Sequence, residues 1–140
     1  MKNITLLLTE GTSIDTNTGQ WSLFNHLESL LVKRPESETI SVRGKFTVVS
    51  FWAVDKNDEN KFFEVKHQIV NSQGEEMIKH EGVDIEIGED VNIFKQRIKV
   101  QKIPLKGEGL YFLESFIREK GDKEYRKMAQ TPLRVKWKEE

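Results

Sequence analysis

Three histidines, His26, His67 and His80, are the first place to look for acid–base or metal chemistry in this cysteine-free chain. No two of them stand two or four residues apart, and none lies beside a carboxylate pair at ligand spacing, so no metal motif is legible. They fall on three different expected strands, which leaves assembly in space as the route to a histidine-based site. His67 shares its parity with Phe63, Val65 and Ile69, the pattern of a hydrogen-bonded imidazole at the margin of a core. Other chemistries find less support. There is no Gly-x-Ser-x-Gly elbow, a cysteine nucleophile is excluded, and Gly107-Glu108-Gly109 lacks the Lys-Ser/Thr that would hold phosphate and magnesium. The carboxylate pairs Glu75-Glu76 and Glu89-Asp90 lie in expected turns, where no cleft sets the separation that glycoside hydrolysis requires. No catalytic, cofactor-binding or metal-binding residue is therefore assigned, and no cofactor is implied.

Binding residues are easier to name. Lys95, Arg97 and Lys99 alternate, so on a strand they project from one side as a cationic stripe about 13 Å long. Such a stripe could dock an acidic partner or a phosphate backbone. It could also be a structural ladder: if residues 88–91 form a tight turn, Asp84 would face Lys95, with Glu86 on the diagonal. Trp21, Trp52 and Trp137 would offer a sugar platform if exposed. Each alternates with aliphatic residues, however, which is also the pattern of burial.

The elements that must position these residues are short and extended. The chain has 140 residues and 36% apolar content, the size of one compact domain spanning 1–140. Gly, Asn, Asp and Ser punctuate it at the spacing of an all-β sandwich or barrel with roughly eight to ten strands. Ile4, Leu6 and Leu8 mark a first strand, and Gln20 to Lys33 reads as a second, although Leu23, Leu27, Leu30 and Leu31 would also suit a helix face. Arg34 to Ser41 reads as a loop. Lys45 to Val54 is apolar on both parities, so it should be covered on both sides. Val83, Ile85 and Ile87 alternate with acids, and Phe94, Ile98 and Val100 share one parity. Lys123 to Ala129 reads as a weak, charged edge strand. The expected core is Leu6, Leu23, Val48, Phe51, Val65, Ile69, Ile85, Phe94, Ile98, Leu113, Val135 and Trp137.

Charge is divided unevenly. Residues 1–94 carry 9 basic and 16 acidic side chains, and residues 95–140 carry 13 and 7, against an overall net charge of −1. A dedicated nucleic-acid binder usually shows a strongly basic domain, which makes nucleic acid a poor expectation here. The longest early apolar run, Ile4 to Leu8, is too short for a signal core or a membrane span, so a cytoplasmic, non-membrane protein is expected.

Four segments stand out together: the Thr18, Gly19, Ser22, Leu23, Phe24 turn, the apolar strand Lys45 to Val54, the hairpin Val65 to Glu76, and a closing pattern of Gly109, Tyr111, Gly121-Asp122, Pro132, Leu133 and Val135. In these the chain resembles an uncharacterised family of small prokaryotic proteins with an immunoglobulin-like fold. The resemblance implies a two-sheet antiparallel β-sandwich and no particular activity. Gly109-x-Tyr111-x-Leu113 also looks like the tyrosine corner of immunoglobulin-type domains, with Leu113 where a cysteine would stand. The function expected is a noncatalytic binding or adaptor module whose partner is another protein, met through loops and a charged sheet face bearing Lys95, Arg97 and Lys99. The alternatives are a carbohydrate-recognising module built on the tryptophans and an enzyme using His26, His67 and His80. Oligomeric state stays open.

Overall fold

The computed structural model describes residues 1–138. Nine strands, β1 (Lys2–Ile14), β2 (Trp21–His26), β3 (Ser29–Lys33), β4 (Thr39–Ala53), β5 (Phe62–Val70), β6 (Glu76–Glu86), β7 (Ile93–Lys106), β8 (Gly109–Glu119) and β9 (Arg126–Lys138), are joined by turns and one 3-10 turn at Lys56–Asp58. They form a four-stranded sheet in the order β2-β1-β4-β7 and a five-stranded sheet in the order β3-β9-β8-β5-β6. The all-β sandwich is thus as expected. It departs from a wholly antiparallel arrangement at one place, where β3 runs parallel to β9. Among the described residues no helix is long and apolar enough to cross a membrane.

Alternation places the core. Leu6, Val48, Val65, Ile69, Ile85, Leu113 and Val135 are buried as expected, and β9 turns Leu133 and Val135 inward while Arg134 and Lys136 face solvent. Strand β4 is buried on both parities from Phe46 to Ser50. Its second cover is the far half of β1 with β2. Phe51 pairs with Thr5, yet its ring packs edge-on against Trp21, which pairs with Ile14. A straight β1 would hold those two partners about 30 Å apart. The ring centroids are 5.7 Å apart, so beyond Thr9 the β1–β2 hairpin folds back over the outer face and covers Val49, which has no exposed surface.

That fold-back accounts for several departures from the sequence reading. Leu23 lies on the outside of the hairpin and is exposed, and Phe51 faces Trp21 rather than the core. Gln20 to Lys33 is two strands, because Asn25 adopts a left-handed φ of 51° and the chain then crosses to the other sheet. The crossing shifts the parity, so Leu30 and Val32 are buried while Leu31 is exposed. Arg34 to Ser41 is a loop only as far as Glu38, since Thr39 already pairs with Lys106. Lys123 to Ala129 is not a separate strand. Its last four residues open β9, which pairs there with β8. Phe94, Ile98 and Trp137 are half-buried, the first two because β7 is an edge strand.

Tyr111 ties the two sheets at the β7–β8 corner. Its ring is 1% exposed, and its phenolic oxygen lies 2.6 Å from the carbonyl oxygens of both Lys106 and Gly107 while accepting from the Lys106 N–H at 2.9 Å. Gly107, at φ 75°, supplies the backbone conformation this corner needs. Removing the hydroxyl leaves buried backbone groups short of a partner, so Tyr111→Phe should cost about 1–3 kcal/mol in a denaturant melt. An unchanged midpoint would mean that the corner bond contributes nothing.

Candidate functional site

Strands β4, β5, β7 and β8 each carry a polar residue at an inward position between apolar neighbours. On β4 it is Ser50, between Val48 and Trp52, and on β7 it is Gln96. On β5 it is His67, between Val65 and Ile69, and on β8 it is Ser115, between Leu113 and Ile117. The registers bring these into two rows, because Ser50 pairs with Gln96 in one sheet while His67 sits between Ser115 and His80 in the other. The result is a polar belt across the sandwich. On one side lies a large apolar cluster containing Val48, Ile69 and Leu113, and on the other a smaller one containing Trp52, Val65 and Ile117.

Most of the belt is poorly satisfied. Ser50 accepts a hydrogen bond from Asn3 Nδ2 at 3.0 Å. Both ring nitrogens of His67, Oε1 of Gln96 and Oγ of Ser115 are buried without a partner among the described residues. His67 is therefore not the hydrogen-bonded imidazole expected. Its place between the sheets costs it water, and His80 opposite opposes a second positive charge, so its pKa falls from 6.5 to about 4. The ring is neutral at pH 7, with one donor and one acceptor to offer.

The belt opens at the side of the sandwich where β6 and β7, the free edges of the two sheets, face each other. A cavity of about 480 Å³ lies there. Val48, Ile69, Ile78, Ile98, Val100 and Leu113 form its apolar wall, and Arg43, Lys79, Lys99 and Lys102 supply cations. A second, more open compartment continues from it along β7. It shares His80, Ile98 and Lys99 with the first and adds Gln96, Lys95 and Arg97. Among the described residues no acidic side chain lines either compartment. Lys79 is paired with Glu76 and Glu81 at 3.4 and 3.6 Å, whereas Arg43, Lys99 and Lys102 form no ion pair among the described residues.

The three cations singled out from the sequence are held differently. Lys95 Nζ lies 5.4 Å from the Phe51 ring centroid and 5.9 Å from that of Trp21. Arg97 lies 5.7 Å from Trp21 and donates to Thr12 Oγ1 at 3.2 Å. These two clasp the folded-back hairpin, while Lys99 stands at the cavity. The expected ladder from Asp84 to Lys95 does not form. Residues 88–91 lead from one sheet to the other rather than closing a hairpin, and Asp84 bonds Lys120 at 3.3 Å.

Of the histidines, His67 and His80 are brought together across β5 and β6, and His26 is left on β2 in the other sheet, 3.9 Å from Glu28. Among the described residues no group of three or more His, Asp or Glu is placed to hold a metal ion. The exposed-tryptophan alternative is also corrected. Trp52 is fully buried, and Trp21 and Trp137 are half-buried on separate sheets, so they make no common platform. The belt itself was missed, although its signal is present as one Ser, His or Gln at the inward parity of each of these four strands.

No protein-family model and no curated protein matches the chain. The resemblance to a small prokaryotic family therefore goes no further than an expectation about fold. Solved structures that match include two of a bacterial adhesin from Mobiluncus mulieris containing intramolecular disulfide, isopeptide and ester bond cross-links. The form in space group P21 is 14% identical with a TM-score of 0.40, and the match covers 90% of this chain and 49% of that one. For the form in space group P1 the values are 11%, 0.41, 93% and 58%. The chain thus spans about half the length of the adhesin chains it matches.

The belt makes stability depend on pH in a definite direction. The unfolded chain takes up a proton on His67 near pH 6.5 and the folded protein only near 4. The contribution is therefore complete above about 6.5 and lost as pH falls toward 4, on the order of 3 kcal/mol in all. A His67→Gln variant should flatten the stability profile between pH 7 and 4.5, and a profile that keeps the wild-type slope would contradict the burial of a neutral imidazole.

Proposed function

We propose that the protein is a noncatalytic, immunoglobulin-like binding module that receives an anionic, partly apolar ligand on its open β6–β7 side. The observation that carries this reading is the cavity itself, which combines an apolar wall with cations at Arg43, Lys99 and Lys102 that, among the described residues, have neither an ion-pair partner nor an acidic lining residue beside them. Pockets of a few hundred Å³ with a mostly apolar wall and a few convergent polar groups are the usual form of a ligand site. The Tyr111 corner and the four-plus-five-stranded sandwich support the immunoglobulin-like description. Lys99 then meets acidic groups of a partner at the cleft, while Lys95 and Arg97, which also hold the hairpin, add positive potential along its outer compartment. A noncatalytic role is favoured because neither Ser115 nor Ser50 hydrogen-bonds a histidine that could activate it.

Titration of isotope-labelled protein with anilinonaphthalene sulfonate, an apolar dye carrying one negative charge, tests this. Amide shifts should concentrate at His80, Gln96, Ile98 and Lys99. Combined Lys99→Glu and Lys102→Glu substitution should weaken binding about tenfold or more, and added salt should weaken the wild type. Shifts centred on the exposed Leu23 and Phe24 of the hairpin instead would refute the placement of the site.

A further inference from the structure

Resting on that reading, we infer that the natural occupant of the cleft is a small amphipathic carboxylate, with its apolar tail in the inner compartment and its head at the mouth beside His80, Gln96 and Lys99. The two compartments differ in the way such a ligand requires. The inner one has an aliphatic wall drawn from both sheets, with Arg43, Lys79 and Lys102 also lining it, and it follows β7 from Ile98 to Lys102, about 13 Å by strand rise. The outer one is lined mainly by polar and cationic groups, with Val83 and Ile98 as its aliphatic members. His80, Ile98 and Lys99 belong to both, so one molecule can occupy the two together.

The belt supplies the second half of the argument. His67 lines the inner compartment at 3% exposure with neither ring nitrogen paired, and Gln96 lines the outer one with its Oε1 unpaired. The tail leaves His67 as it is, a neutral ring against hydrocarbon. At the mouth the Lys99 ammonium can donate to a carboxylate, and the Gln96 amide, turned over so that its NH2 stands where Oε1 now lies, can donate as well.

An added protein strand fits this side less well. β6 carries a bulge, with the register shifting between Val65 and His67 and Gly82 at φ 76°, and β7 carries Pro104, which has no N–H to give. Lys79 and Glu81 on β6 and Lys95, Arg97 and Lys99 on β7 add charge along both edges. Bulges and charges are the devices by which sheet edges resist strand addition.

The probes are decanoate, decanol and acetate, each titrated by calorimetry and by amide shifts below the micelle threshold. Decanoate should bind at one site per chain, at least tenfold more tightly than decanol, and acetate should show no saturable binding. Ile98→Trp, which fills the inner compartment, should abolish decanoate binding. Lys99→Glu, at an exposed position, should weaken it about tenfold with the fold intact. Equal affinity for decanoate and decanol, or decanoate binding that Lys99→Glu leaves unchanged, would overturn the inference. A short peptide of alternating glutamate and leucine separates the two readings. If it shifts His80, Gln96 and Ile98 while decanoate does not, the carboxylate inference fails and the binding-module reading stands. If neither probe shifts those residues, both fall.

Discussion

An imidazole cannot be moved from water to the space between two β-sheets without a loss that something else must offset. That constraint organises the inner face of this sandwich. His67 lies at the midpoint of β5 with both nitrogens unpaired among the described residues. Ser115 and His80 fall in register with it, and Ser50 and Gln96 form the matching row in the other sheet, so that the hydrophobic interior is divided in two. Four such unpaired atoms lie in this one layer, and two of the residues that carry them, His67 and Gln96, line the open cleft.

Position within the fold decides what the belt can meet. On the β1 and β9 side the sheets approach each other, and Thr131 donates to the Leu6 carbonyl at 2.7 Å. On the β6 and β7 side neither edge has a neighbouring strand, and the belt ends at His80 and Gln96 in an open cleft. The outer faces are by contrast occupied with their own residues. The β1–β2 hairpin covers one, held by Lys95 and Arg97. On the other, Arg118 bonds Glu64 at 2.8 Å and stacks 4.1 Å from the Tyr125 ring, while Glu114 pairs with Lys127 and accepts from Gln68 at 2.9 Å. The cleft is where apolar wall, cation and unpaired polar group coincide.

Alternation made much of the fold legible from residue order. Val83, Ile85 and Ile87 and the Leu133–Val135 pair show their inward faces directly, and the two-sided apolar run of β4 announces a strand covered twice. The tyrosine spacing at 109–113 located a corner that is present. What periodicity could not show was which sheet each strand joins. Asp84 and Lys95 looked like neighbours across a turn because a hairpin and a crossing between sheets can use the same Gly and Asp residues. The hairpin that folds back over Val49 was likewise invisible, since Trp21 and Phe51 meet only in three dimensions. The site was half legible. Lys99 and two of the histidines were named from the sequence, but Ser50, Gln96 and Ser115 looked like ordinary polar interruptions until registry aligned them.

The central claim is that His67 is held between the sheets as a neutral ring with no partner from the protein. Nitrogen NMR of the histidine side chains at about pH 6 tests it directly. The account predicts that the His67 ring nitrogens give the widely separated pair of a neutral imidazole, with no through-bond coupling to any protein donor or acceptor. A protonated His67 at that pH, or a coupling that ties it to Ser115, would contradict the account.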